Sequence, residues 1–194
     1  MLRGGHGDDE LYAGSIIGST KKGGNNTAAQ HWLFGDKGND ILFGEDETVL
    51  QKMWGGEGHD ELFGGADTDE QFLHGNDGAD ILHPNGAATT KVTAKGGAGN
   101  DTINKVIRNE DGTYSLATYF EPDHTEADPM ITTVGADGNK MELFEGNEGD
   151  DWIWGGWNVG TGADALVIKG GSGNDTLYGG KNVRGRTKIF GNGG

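Results

Sequence analysis

Large aliphatic residues recur along this chain in a fixed relation to acidic ones: Leu11, Leu42, Leu62, Leu82, Ile103, Ile153 and Leu177 each stand two residues after an Asp. A second apolar column, Leu33, Met53, Leu73, Ala94, Phe144, Ile168 and Ile189, sits two residues before a glycine that opens a glycine-rich segment. Side chains of a strand alternate between faces, so each column supplies one inward position on a short strand. The pair of strands returns about every 20 residues, and a unit that short buries its apolar face only by stacking on its neighbours. The pattern predicts an all-β, parallel solenoid of about seven to eight coils forming one module over residues 1–194. Insertions interrupt it at about 15–30 and 105–134.

Between the columns lies a motif that repeats seven times: "GGHGDDELY" from Gly4, "GDKGNDILF" from Gly35, "GGEGHDELF" from Gly55, "GNDGADILH" from Gly75, "GGAGNDTIN" from Gly96, "GNEGDDWIW" from Gly146 and "GGSGNDTLY" from Gly170. An eighth copy begins at Gly191. Position six is always Asp: Asp9, Asp40, Asp60, Asp80, Asp101, Asp151 and Asp175. Position four is always Gly, including Gly38, Gly58, Gly78, Gly99, Gly149 and Gly173. Position two is Gly except for Asp36, Asn76 and Asn147, a substitution expected where φ is positive, because Asn and Asp tolerate that region better than other side chains. A flexible glycine-rich linker has no reason to keep Leu or Ile two residues after every Asp.

Composition narrows the chemistry. Gly accounts for 39 of 194 residues, cysteine is absent, and the formal net charge is −16. Without cysteine there are no disulfides or thiolate metal sites, and the remaining metal ligands are carboxylates, carbonyls, amides and histidines, a set suited to oxygen-seeking cations. The acidic excess argues against a phosphate-tracking nucleic-acid surface and against an anionic-membrane surface. No apolar run approaches membrane-spanning length, and the first ten residues lack the hydrophobic stretch of a signal peptide.

The repeat resembles the RTX nonapeptide, G-G-x-G-x-D-x-U-x with U a large aliphatic residue, and the resemblance covers most of the chain outside the insertions. It implies a right-handed parallel β-roll, with the first six residues of each copy forming a turn, the last three a strand, and Ca2+ between the turns of neighbouring coils. Such turns fold their carbonyls inward, and calcium takes six to eight hard oxygens. The ligands so implied are the seven position-six Asp residues with backbone of Gly4, Gly35, Gly55, Gly75, Gly96, Gly146 and Gly170, and of the position-four glycines Gly38, Gly58, Gly78, Gly99, Gly149 and Gly173. Stacked about 4.8 Å apart, bare carboxylates repel, so folding and calcium binding are expected to be coupled. The resemblance also implies a module of a secreted or surface assembly, or the non-catalytic tail of an enzyme or toxin.

On the opposite edge of each coil the motif lapses. "GGADTDEQF" keeps Asp69 but puts Gln71 where an aliphatic residue belongs, while "GTGADALV" restores the pattern with Asp164 and Leu166. One continuous calcium row is expected, about one ion per adjacent pair of coils, with at most isolated sites opposite. Positions six, seven and nine are read as outward. Position nine then gives a row of Tyr12, Phe43, Phe63, His83, Asn104, Trp154 and Tyr178, covered by the insertions, packed on itself, or presented to a glycan or partner.

Asp111-Gly112 in the second insertion suits a hairpin turn, and His124 with Glu121, Asp123, Glu126 and Asp128 forms a candidate accessory metal cluster or a solvated loop. Asn25, Asn100 and Asn174 match the glycosylation acceptor pattern, the last two inside predicted calcium turns. No catalytic constellation is found, and the module is read as non-enzymatic. The repeat runs to both ends of the chain, which favours neighbouring repeats or end-to-end self-association into a filament.

Overall fold

The computed structural model describes residues 1–13, 30–45, 48–65, 68–84, 91–104, 106–108, 114–116, 141–155, 166–179, 187–191 and 193. They contain strands and no helix. One sheet stacks eight parallel strands in chain order: β1 (Leu2–His6), β3 (Gln30–Lys37), β5 (Leu50–Glu57), β7 (Glu70–Asp77), β9 (Lys91–Ala98), β13 (Met141–Glu148), β15 (Leu166–Ser172) and β17 (Thr187–Phe190). The other stacks seven: β2 (Glu10–Tyr12), β4 (Ile41–Phe43), β6 (Glu61–Phe63), β8 (Ile81–His83), β10 (Thr102–Asn104), β14 (Trp152–Trp154) and β16 (Thr176–Tyr178). Each motif copy links a long strand to a short one, so the chain winds as the parallel β-solenoid predicted from the period. The second insertion carries β11 (Val106–Arg108) and β12 (Tyr114–Leu116), an antiparallel pair with Val106 opposite Leu116, as expected for a hairpin.

The two apolar columns are the core. Leu42, Leu62, Leu82, Ile103 and Ile153 on the short strands, and Leu33, Met53, Leu73, Ala94, Phe144 and Ile168 on the long ones, are all buried. Ile189, on the last strand of its sheet, is 46% exposed, with no further coil packed over it among the described residues. Register is in step throughout: Leu33 pairs with Met53, Met53 with Leu73 and Leu73 with Ala94, while Leu42 pairs with Leu62 and Leu62 with Leu82. A slip of one residue would turn every core side chain to solvent, so the columns fix the register.

The long strands run further than the sequence pattern suggests. The first six motif residues are not all turn: β3, β5 and β7 each continue through position three, with Asp36 paired to Gly56 and Lys37 to Glu57. The backbone bends there without losing its coil-to-coil hydrogen bonds, because position two takes positive φ. Asp36, Asn76 and Asn147 have φ of 78, 83 and 86°, as expected of Asx residues standing in for glycine. Position two alternates strictly along the stack: Gly5, Asp36, Gly56, Asn76, Gly97, Asn147, Gly171. A Cβ added at Gly56, Gly97 or Gly171 would collide with the carbonyl oxygen of the preceding coil's Asp36, Asn76 or Asn147. Each Asx carbonyl thus occupies the place of the next coil's missing side chain.

Aromatic residues pack on each other along both outer faces. On the short-strand sheet Tyr12, Phe43 and Phe63 stack in turn, centroids 4.7 and 5.0 Å apart, and His83 follows Phe63 at 4.6 Å. This is the self-packing considered for position nine. It occupies ring faces that a sugar would need. A column not anticipated from sequence lies on the long-strand sheet, where Phe34 stacks on Trp54 at 4.7 Å, Trp54 tilts against Phe72, and Arg3 caps Phe34. Further along that face Glu145 lies between Lys95 and Lys169, at 2.5 and 2.6 Å. Burial opposes its ionisation, yet the hydrogen bonds from Lys169 and Lys95 hold its carboxyl below the usual range.

Candidate metal centre

Several kinds of hydrogen bond recur between the turns of successive coils. The position-four amide donates to the next coil's position-three carbonyl, as in Gly38 to Glu57 and Gly58 to Asp77, 2.9 and 2.8 Å. At position five the side chain accepts from the next coil's position-five amide. Asp8 accepts from Asn39, Asn39 from His59, His59 Nδ1 from Ala79, Asn100 from Asp150 and Asp150 from Asn174. This second ladder went unread in the sequence, although its acceptor-bearing residues Asp, Asn and His fill the same position of most copies. Asn100, one of the glycosylation matches, is committed to it through Oδ1.

Position six runs the opposite way. The amide of each Asp donates to Oδ1 of the next coil's Asp, in an unbroken series: Asp9 to Asp40, Asp40 to Asp60, Asp60 to Asp80, Asp80 to Asp101, Asp101 to Asp151, and Asp151 to Asp175, at 2.7 to 3.1 Å. These side chains point inward, contrary to the outward placement expected of position six; Asp40, Asp60, Asp80, Asp101 and Asp151 are each no more than 2% exposed. They share the face of the Leu or Ile two residues later, and the turn that precedes the short strand does not reset the alternation.

The other carboxylate oxygen carries the chemical interest. Oδ2 of Asp9, Asp40, Asp60, Asp80, Asp101, Asp151 and Asp175 is shielded from water and has no hydrogen-bond partner among the described residues. Seven orphaned acceptors in one row are a large departure from native practice, in which buried polar atoms are paired with few exceptions. Each Oδ2 abuts the position-one glycine of its own copy. A Cβ on Gly75 would overlap Asp80 Oδ2 and lie 2.7 Å from the carbonyl oxygen of Gly96, so carboxylate and carbonyl crowd one place. The strand register also passes over position one: Phe34 pairs with Trp54 and Asp36 with Gly56, but Gly35 and Gly55 are not partners. The same gap recurs at Gly55/Gly75, Gly75/Gly96 and Gly146/Gly170.

Electrostatics agrees with the geometry. Burial raises the Asp60 and Asp101 carboxyls to about 7, against the opposing amide hydrogen bonds and with added repulsion from neighbouring carboxylates. Burial likewise raises Asp80 and Asp151 to about 6, and Asp40 moves in the same direction. Desolvation, more than the carboxylate repulsion expected from sequence, is the first cause. The row therefore has three features that a hard cation answers: buried negative charge, orphaned carboxylate oxygens and position-one carbonyls crowded beside them. Among the described residues no three acidic or histidine side chains converge on one point. A cation here would take only some of its ligands from carboxylates and the rest from backbone, consistent with the glycine requirement.

The opposite edge is differently built. Buried Gln51 and Gln71, near the starts of β5 and β7, are register partners, and buried Thr48 and Thr68 precede those strands. Gln71 is thus no lapse of the motif but half of an amide ladder whose members stand 20 residues apart in sequence. Asp164, the second-edge metal ligand expected from sequence, and the 121–128 acidic cluster with His124 lie outside the described residues.

A family model described as the RTX calcium-binding nonapeptide repeat (4 copies) matches residues 1–15, 32–47, 52–70, 72–87, 93–104, 135–158 and 167–182. These segments span every motif copy from Gly4 to Gly170. No curated protein and no solved structure matches the chain. With the nonapeptide matched over more than half of its length and wound into stacked parallel coils, the chain belongs to the RTX calcium-binding nonapeptide repeat family.

Proposed function

We propose that this chain is a calcium-stabilised structural module of a secreted or cell-surface protein, in which one row of Ca2+ between coils closes the carboxylate edge. The observation that carries the reading is the row of seven buried Oδ2 atoms without a partner. The ligands are Oδ2 of Asp9, Asp40, Asp60, Asp80, Asp101, Asp151 and Asp175, with backbone oxygens from the position-one and position-four glycines. Bound calcium supplies the positive charge that lets those carboxylates stay ionised in a dry site. The protein's own residues do the rest: glycines at positions one and four allow close approach, the Asp amides fix each carboxylate through Oδ1, and Leu or Ile anchors the strand that follows. About one ion per adjacent pair of coils, roughly six in all, would offset most of the net charge of −16.

The role is architectural, with chemistry left to other domains or chains. Leu2 on β1 and Ile189 and Phe190 on β17 are 42, 46 and 44% exposed at the two ends of the stack, which favours continuation by neighbouring repeats or by self-association. Isothermal titration of EGTA-treated protein with calcium tests the reading, together with far-UV circular dichroism and light scattering. Several binding events with a rise in thermal midpoint are expected. An identical midpoint and spectrum in EGTA and in millimolar calcium would sink it.

A further inference from the structure

The two edges of the roll solve one problem with different chemistry. On the carboxylate edge, one Asp oxygen accepts an amide from the neighbouring coil and the other finds no partner. On the opposite edge, Gln51 Oε1 accepts the amide of Gly65 at 2.9 Å, and its second atom, Nε2, donates to the carbonyl of Glu45 at 3.1 Å. Gln71 Nε2 donates to the carbonyl of Gly65 at 3.0 Å and reaches Gln51 Oε1 at 3.4 Å. Thr48 and Thr68 hydroxyls continue the contact at 3.4 Å, and Thr68 also donates to Gly65. Gln51 and Thr68 are fully buried, and Gln71 and Thr48 nearly so. A Cβ on Gly44 or Gly64 would collide with the amide group of Gln51 or Gln71, so glycine here makes room for an amide as it makes room for Oδ2 opposite.

We infer that glutamine amides replace the cation on this edge, so that the coils spanning residues 44–71 keep their second edge closed in metal-free protein. Gln51 brings a donor to one turn carbonyl and an acceptor to a turn amide, and Gln71 brings a donor to another turn carbonyl, all without adding charge, so these buried groups are paired with no ion. Backbone bonds across the same turns, Asp69 to Thr48 at 3.0 Å and Glu70 to Val49 at 3.1 Å, are held by this ladder. Removing calcium then opens the roll along one edge only, and this segment remains as a clasp from which neighbouring coils close again. The inference shares with the preceding reading only the calcium dependence of the first edge.

Amide hydrogen exchange of the full chain, read residue by residue by NMR in EGTA and in millimolar calcium, tests it. In EGTA, the amides of Gly65, Asp69 and Glu70 are expected to exchange about tenfold or more slowly than those of Asp40, Gly58 and Asp60. Calcium should slow the second group and bring the two together. Gln51→Leu should abolish the slow set in EGTA. Should that variant not fold, Gln71→Glu keeps the shape, removes the donor, and should do the same. Equal exchange of both groups in EGTA, or slow exchange that survives both substitutions, overturns the inference. Should Asp40, Gly58 and Asp60 ignore calcium, the calcium reading fails, while the second-edge amides still decide this one.

Discussion

Replacing Asp60 by Asn separates the charge of the row from its shape. Asn retains the Oδ1 acceptor that takes the Asp40 amide at 2.8 Å, and it sets a neutral NH2 where Oδ2 lies orphaned near the Gly75 carbonyl. In the metal-free fold the Asp60 carboxyl is pushed from 3.8 to about 7, chiefly by burial. At about 1.4 kcal/mol per pK unit, holding it ionised at pH 8 costs the fold on the order of 4 kcal/mol relative to the unfolded chain. A folded pKa raised above the unfolded one gives stability that is present below about pH 4 and lost as pH rises through about 7. Asp60→Asn should therefore stabilise the calcium-free protein at pH 8 by up to about 4 kcal/mol, a midpoint shift on the order of 10 °C for a chain of this size. The gain should shrink to nearly nothing at pH 4. In millimolar calcium the sign should reverse, because two neighbouring ion positions lose a charged ligand. Thermal melts by circular dichroism at pH 4 and pH 8, with EGTA and with calcium, give all four values. A substitution equally destabilising in all four conditions would show that Asp60 acts by shape alone and would refute the argument.

The wild-type protein should follow the same sign. In EGTA its thermal midpoint should fall as pH rises from 4 to 8, because Asp60, Asp80, Asp101 and Asp151 all lose protons in place, and calcium should flatten or invert that slope. Leu62→Ala, in a fully buried site between Leu42 and Leu82, should cost about 2–5 kcal/mol in chemical denaturation, by the same amount with and without calcium. Gly75→Ala should lower calcium affinity in titration calorimetry, since its methyl group would overlap Asp80 Oδ2 and press on the Gly96 carbonyl. Gly78→Ala, at φ 139° with the Gly58 carbonyl in the path of the new methyl, should lower the midpoint in both conditions.

What the sequence discloses and what it hides divide along physical lines. Positions that repeat in every coil are legible singly: the Leu and Ile columns fall into the core, and Asp36, Asn76 and Asn147 adopt the positive φ that their place among glycines implies. Features that exist only between coils are hidden. Gln71 reads alone as a polar residue where an aliphatic one belongs, and only stacking brings its amide and that of Gln51 onto Gly65. Phe34 and Trp54 look like unrelated surface aromatics until 20 residues of chain become one step of the stack. The inward turn of the Asp row, by contrast, is legible: each Asp stands two residues before an inward Leu or Ile, and plain alternation puts both on one face.

The alternation at position two gives the roll a parity. Excising a single coil, such as residues 55–74, would set Asn76 directly upon Asp36, whose carbonyl already fills the space where the next coil's Cβ belongs. Excising two coils would leave every Asx facing a glycine. Shortening, lengthening or grafting this module should therefore fail wherever it sets one Asx coil upon another and succeed in steps of two coils, so that its safe unit of construction is about 40 residues, twice the interval at which its sequence visibly repeats.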